Sequence, residues 1–571
     1  MTTFLLPLPD DAHAFAELTW AEASAWYDRL EALSPDPDPE RWLRTWSHFE
    51  SLLHEAASRA MIAYTCSTTD RDAEAAHRRF SIEILPRAEE RGVRLARRAV
   101  AARLDDPALE QPLARFRATI KIFREENVPL LAELEELSTQ YQGITGGMLA
   151  EWEGDRIPIP RLAPVLEDRD RSRREAAWRA SIEPYRHAAG ELHDLFDRMR
   201  DRRQQVARNA GFSSYRDYVF PAKARYDYTP ADCEAFHEAV AETVVPVVQR
   251  LRMVRRERLG VPTLRPWDLA VSPWRTEPIR PWTDPEDFPR IASRIFDRLD
   301  PVLGTQFHRM REEGLLDLES RPGKAPGGYC DTLHVRGHPF IFMNAAGVMG
   351  DVMTLLHEAG HAFHAFAAAH QPLLWQRQPG AESAELASMS MELLASRYLG
   401  PPEGYLTEDE AGVARMEHLE GAVFALAHIA SVDAFQHWLY TDPAAGDAAE
   451  RDRRWSVLRD RFDPGIDWNG LEDTRATRWH RQLHIFLYPF YYIEYGFAQI
   501  GALQVWQNSL SDPRAALEQY RSFLTLGATR PLPDLYRAAG ASFVFDRATL
   551  AQLMAEVETH LNRWREEIEG G

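Results

Sequence analysis

The sequence predicts a mainly α-helical protein built from more than one packed unit. Three observations carry that prediction. Residues 11–150 and 166–210 run as amphipathic stretches rich in Ala, Glu, Leu and Arg, the pattern of helices with one buried face. The clearest strand composition is short, Pro339-Phe340-Ile341-Phe342-Met343. The 571 residues exceed what a single core organises, while 45% apolar and 27% charged residues are ordinary globular usage.

Taken in order, the first unit is an N-terminal helical region over residues 1–160. Ser34-Pro35-Asp36-Pro37-Asp38-Pro39 interrupts it, because each proline fixes φ and removes a backbone donor. Its Leu-Glu-Arg pattern is too short and irregular for sustained coiled-coil heptads. Gly154-Asp155-Arg156-Ile157-Pro158-Ile159-Pro160 ends it. The second region spans residues 161–571, with helices resuming at about 166. Within it, residues 262–289 hold seven prolines and read as a connection. The arginine-rich runs at 169–174 and 450–454 read as solvated, salt-bridged helix surface.

The next helix is expected over about 351–371, with Asp351 as N-cap and Pro372 as its stop. Val352, Leu355, Leu356, Ala359 and Phe363 make it largely apolar, so it should be buried. It carries His357-Glu358-Ala359-Gly360-His361. Histidines four apart share a helix face, and two imidazoles one turn apart can hold one zinc ion. Glu358 is then placed to take a proton from a water on that ion. Chance produces such a string in chains this rich in histidine. The buried helix makes the difference, since three histidines and a glutamate there need partners or a metal.

A zinc site of this type takes a third protein ligand and leaves the fourth position to water. Position 367 is alanine, so no histidine follows His361 by six residues. His364 lies on the same helix, where three ligands in succession would fan out rather than converge. It is assigned to packing or to support of a ligand. A glutamate on a second helix remains, and residues 383–399 read as that helix, ending before Gly400-Pro401-Pro402. Glu385 and Glu392 are seven apart and share a face. Glu382 competes, but at a helix start acidic residues are common for dipole reasons.

His357 to His364, followed by Glu385-Leu386-Ala387-Ser388 and Glu392, resembles the M3 family of zinc metallopeptidases. Within that family of thimet oligopeptidase relatives, the likeness is to the oligoendopeptidase F branch. The resemblance implies that His357, His361 and Glu385 ligate one Zn²⁺, that Glu358 is the general base, and that Glu392 steadies a ligand histidine. Upstream, residues 324–330 and 339–345 look like the family's glycine-rich turn and short strand, which implies substrate contacts at Gly328 and Asn344. An edge strand there could pair with an extended peptide, and an ordinary structural hairpin fits the composition equally well. Downstream, residues 484–496 bring one histidine and four tyrosines, polar tips that a pure core would have to satisfy. By position His484 and Tyr495 match the pair that stabilises the oxyanion, while Tyr488 and Tyr492 match substrate-contacting tyrosines. Pro489 and Phe490 stand where the thimet branch has a glycine-rich turn.

The implied architecture is a large multi-helix metallopeptidase with a deep substrate channel and a small β-hairpin or sheet beside the zinc helix. The implied activity is hydrolysis of internal bonds in short unstructured oligopeptides. One rival is a carboxypeptidase or dipeptidyl carboxypeptidase on the same scaffold. Another is a non-enzymatic peptide-binding scaffold, which would have no use for a general base. The formal net charge of -20 argues against nucleic-acid partners. Three widely spaced cysteines indicate neither a disulfide framework nor a cysteine-based zinc site. The first ten residues lack a basic segment and a long apolar core, so no signal peptide is expected, and no apolar run is long enough to span a membrane. A cytoplasmic location is the expectation, and nothing in the sequence sets an oligomeric state.

Overall fold

The structure, a computed structural model, describes residues 4–321, 323–325 and 327–570. Among them, twenty-four α-helices stand against five short strands, which makes the class mainly α as expected. Seven helices position the site: α1 (Pro39–Cys66), α2 (Pro230–Leu259), α3 (Met349–Ala368), α4 (Ala381–Ala395), α5 (Glu408–Thr441), α6 (Tyr492–Ser511) and α7 (Pro513–Leu526). No helix among the described residues is long and apolar enough to cross a membrane.

Local chemistry sets the helix ends. The proline-rich break at 34–39 is the start of α1: the Asp38 carboxylate accepts the Arg41 N–H, and Pro39 sits in the first turn, where its missing donor costs nothing. Thr229 and Asp232 form a capping box at the start of α2, which ends on Gly260 at φ 64°. For α3 the expected cap moves. The N-cap is Val348, and Asp351 lies two residues inside the helix. Its Oδ2 reaches back to accept the N–H groups of Ala346, Gly347 and Val348 at 2.8, 2.8 and 3.0 Å. One carboxylate thus satisfies three donors of the entering turn, and the helix starts earlier than the cap reading placed it. α4 gives way to a 3₁₀ turn at Ser396–Tyr398 before the prolines.

Two small sheets accompany the helices. The break at 154–160 contains a hairpin, β1 (Leu149–Trp152) against β2 (Asp155–Pro158), turned at Glu153 and Gly154, both with positive φ. The second sheet contains β3 (Leu316–Glu319), β4 (Tyr329–Leu333) and β5 (His338–Ala345) in the order β3-β5-β4. The apolar run 339–343 is therefore the centre of the sheet, parallel to β3 and antiparallel to β4. An unbroken apolar run is what burial on both faces demands. The edge is β4.

Two hydrophobic cores are distinguishable. One gathers Phe15, Tyr27, Trp42, Trp46 and Phe49 near α1. The larger one runs from Leu134 to Leu561 and contains the apolar faces of α2 to α7. A close helix contact lies at the motif. A Cβ on Gly360 would sit 2.5 Å from Ser388 Cα and 2.8 Å from Ala387 O, so only glycine lets α3 lie this close to α4. The Tyr520 hydroxyl of α7 donates to that same Ala387 carbonyl at 2.9 Å. Part of the arginine run at 169–174 is not solvated surface. Arg171 and Arg174 grip the fully buried Asp268 at 2.6 and 2.8 Å, and Arg174 is itself buried.

Candidate active site

The glycine contact between α3 and α4 brings the expected ligands together. His357 Nε2 and His361 Nε2 lie 3.3 and 3.8 Å from Glu385 Oε2, and the three ligand atoms are within 4.8 Å of one another. Ligands bonded to a tetrahedral zinc at 2.0–2.1 Å stand about 3.3 Å apart, so the donor set fits such an ion. The imidazoles meet edge to face, centroids 4.9 Å apart at 85°, aiming two lone pairs at one point.

A second layer orients these donors. His357 Nδ1–H donates to Glu392 Oε1 at 2.7 Å, which leaves the Nε2 lone pair free for the centre. The other Glu392 oxygen is 3.4 Å from His418 Nε2, on α5. Glu385 Oε1 accepts the Tyr491 hydroxyl at 2.9 Å, and the Ser388 hydroxyl donates to Oε2 at 3.2 Å. Burial opposes a charge on His357, yet its bonds to Glu385 and Glu392 raise its pKa well above the usual value. The carboxylates therefore favour positive charge at this spot. Burial holds His361 neutral, its pKa down to about 4.

Glu358 is buried on the same helix. Burial pushes its carboxyl up to about 7, with Glu385 and Glu392 acting in the same direction and His357 against them. A group poised there exchanges a proton readily near neutral pH. Cys330, on β4, is close enough for the Glu358 charge to push its thiol further up, so the edge strand runs beside this carboxylate.

His484, on a short helix at Leu483–Leu487, and Tyr495, on α6, face each other with ring centroids 5.9 Å apart. Burial brings His484 down to about 4, so its imidazole is neutral, and Lys223 pushes the same way. Burial and then Glu385 hold the Tyr495 phenol protonated. Tyr491 stacks edge-on against Tyr495 at 5.0 Å.

Of the remaining residues singled out from the sequence, Tyr492 and Tyr488 stand beside His484, ring centroids 5.0 and 6.0 Å away. Tyr492 donates to Gln482 Oε1 at 3.0 Å, and Tyr488 is 54% exposed. Asn344 holds the glycine-rich turn, its amide donating to the carbonyls of Ala325 and Gly327 at 2.8 and 2.9 Å. Gly328 backs onto the start of α3, where an added Cβ would lie 3.8 Å from Thr354. His364 is buried against Phe523, and neither ring nitrogen has a hydrogen-bond partner. Glu382 accepts from Tyr228 at 2.6 Å and pairs with Arg225 rather than joining the donor set.

Sequence reasoning missed Tyr491, Ser388 and His418. Tyr491 is the N-cap of α6, just outside the helix that carries Tyr492 and Tyr495, so helical spacing does not single it out.

Residues 165–555 match the model of peptidase family M3. The chain belongs to that family. It is 21% identical over 467 residues to an oligoendopeptidase F homolog of Borreliella burgdorferi, covering 76% of this chain and 75% of that one. It is 25% identical over 251 residues to the oligopeptidase PepF of Bacillus subtilis, a match spanning 42% of this chain and 36% of that protein. Among solved structures, a PZ peptidase A with a bound inhibitor superposes at a TM-score of 0.88 and 26% identity, over 98% of this chain and 99% of that one. The oligoendopeptidase F of Enterococcus faecium shares the fold at a TM-score of 0.65 and 16% identity, over 98% and 100%. Within family M3, this peptidase groups with the oligoendopeptidases F.

Proposed function

We propose that this M3 peptidase is a zinc-dependent endopeptidase that hydrolyses internal bonds of short unstructured peptides. The observation that carries the proposal is the convergence of His357, His361 and Glu385 on one point beside the buried Glu358. Zn²⁺ suits two imidazoles and a carboxylate, and when bound it supplies Lewis-acid polarisation of the scissile carbonyl and acidifies water. Glu358 accepts the proton of the attacking water and returns it to the departing amine. Tyr495 O–H and the neutral His484 N–H donate to the oxygen on which charge develops, each contributing about 10²–10³ in rate. Glu392 and Tyr491 keep the ligands aimed. Tyr488, Tyr492 and the Gly328–Asn344 turn line the approach for a peptide laid along β4, in a channel between an N-terminal helical region (1–160) and a catalytic region (161–571).

Endo rather than carboxy-terminal cleavage is supported by the local cations. A carboxypeptidase holds its substrate's free carboxylate with a cation or a tyrosine clamp. Lys223 and Arg225, the cations beside these tyrosines, are held by Glu494 at 3.2 and 2.7 Å. Three unpaired cysteines accord with a cytoplasmic location.

A mixed-peptide digest read by mass spectrometry tests the reading, with and without chelator, alongside an internally quenched peptide amidated at its C-terminus. Internal cuts that stop with chelator, and cleavage of the blocked peptide, are expected. If blocked peptides stay intact while free ones shorten from the C-terminus, the endopeptidase reading fails.

A further inference from the structure

A second cluster of metal-ligand type lies away from the site, between α2 and α5. Each helix contributes a pair of residues four apart and therefore on one face: Cys233 and His237 from α2, Asp433 and His437 from α5. The ligand atoms of Cys233, Asp433 and His437 are within 4.8 Å of one another. His237 Nε2 stands 2.8 Å and His437 Nε2 3.3 Å from the same Asp433 Oδ2. These separations are each 0.5 Å shorter than the 3.3 and 3.8 Å of the His357–His361–Glu385 set, and the shorter is a hydrogen bond.

The cluster is sealed and incompletely satisfied. Cys233 and Asp433 are fully buried, and His237 and His437 nearly so. Asp433 Oδ1 and both ring nitrogens of His437 lack hydrogen-bond partners; at 3.3 Å, His437 Nε2 is misaligned for a bond to Asp433. Unpaired polar atoms at this depth are costly unless something meets them. The nearest guanidinium, Arg225, is engaged by Glu494 at 2.7 Å and by Glu382 at 3.8 Å, so it does not neutralise Asp433.

We propose that Cys233, Asp433 and His437 form a second, closed metal site of zinc-binding character that clamps α2 to α5, with His237 hydrogen-bonded to the Asp433 carboxylate. The donors are one thiol, one imidazole and one carboxylate, all buried, and a donor set sealed from substrate is the pattern of a structural rather than a catalytic ion. Binding releases the Cys233 proton, and the thiolate and Asp433 together balance the dication. The clamp bears on the reaction through Phe490, the corner between His484 and Tyr491. Phe490 holds φ 64°, a strained value for a residue with a side chain. Its N–H donates to Gln436 at 3.0 Å, its carbonyl accepts from Arg225, and its ring packs on His437 at 5.4 Å. A third group, His193, Asp452 and His480, is a poorer cation site, because the Arg451 guanidinium lies 3.5 Å from His193 and Trp479 N–H occupies Asp452.

The test uses the full chain purified without chelator from zinc-supplemented medium. Elemental analysis should give two metals per chain, falling to one in Cys233→Ser and in Asp433→Asn, and to one in His361→Ala. Protein produced with cobalt should show a thiolate-to-cobalt charge-transfer band in the near ultraviolet. That band should survive His361→Ala, Cys66→Ser and Cys330→Ser, and disappear in Cys233→Ser. One metal per chain with no thiolate band in the wild-type protein overturns the proposal, whether or not the Cys233 variant folds. Loss of the band in His361→Ala would overturn it too, by assigning the sulfur to the first site.

Discussion

The α3–α4 pair and the α2–α5 pair use the same device for different ends. In both, side chains four residues apart on one helix face a carboxylate from another, with nitrogen-to-oxygen separations of 3.3 and 3.8 Å in the first pair and 2.8 and 3.3 Å in the second. Access is what separates them. The His357 and His361 side chains are 21% exposed, with a titratable glutamate and protonated phenols around them. Asp433 and Cys233 are 0% exposed and have no base in front of them. Three ligands with an open side make a place for chemistry, and a sealed set makes a brace.

Chelation should break this comparison most sharply. Treatment with 1,10-phenanthroline is expected to abolish peptide cleavage, and added Zn²⁺ to restore it. The thiolate-linked cobalt band should outlast the activity, because its site is sealed. Equal rates of loss would show that the two sites are equally accessible.

Tyr495→Phe should lower kcat by about 10²–10³, with metal content unchanged. Tyr492→Phe should change kcat little, since that hydroxyl is turned to Gln482. Steady-state kinetics on one quenched peptide separates the two. If both variants fall alike, Tyr495 has no special role. A smaller effect is expected from Glu392→Gln, where losing the charge behind His357 Nδ1 should weaken metal binding about 10–100-fold. Competition with a chromophoric chelator reads that change, and an unaltered affinity would remove Glu392 from the support of the centre.

Two glycines sharpen the contrast in packing. Gly360→Ala drives a methyl into Ser388 and should destabilise the fold by about 1–3 kcal/mol while displacing Glu385. Gly421, inside α5, has nothing within 4 Å of its added Cβ. Gly421→Ala should be neutral or stabilising by up to about 1 kcal/mol. Denaturant unfolding of both variants checks the pair.

The parts legible in the sequence depend on helical spacing alone. His357, Glu358 and His361 follow from a four-residue step, and Glu385 and Glu392 from a seven-residue one. The class followed from helix patterning in the same way. The order of the sheet was not legible, because pairing across strands is settled by tertiary burial rather than by local composition. Asn344 could not be read as the anchor of a turn, and Tyr491 was hidden by the irregular corner at Phe490, where helical phase is reset. The grouping of Cys233 with Asp433 and His437 was not legible either, since α2 and α5 meet only after the fold brings residues 196 apart in sequence together.

The most direct test of the account is Glu358→Gln, measured for metal content and for cleavage of the blocked quenched peptide in the same preparation. The account predicts full metal content and a loss of about 10²–10⁴ in kcat. A variant that keeps its metal and still cleaves at the wild-type rate would contradict it.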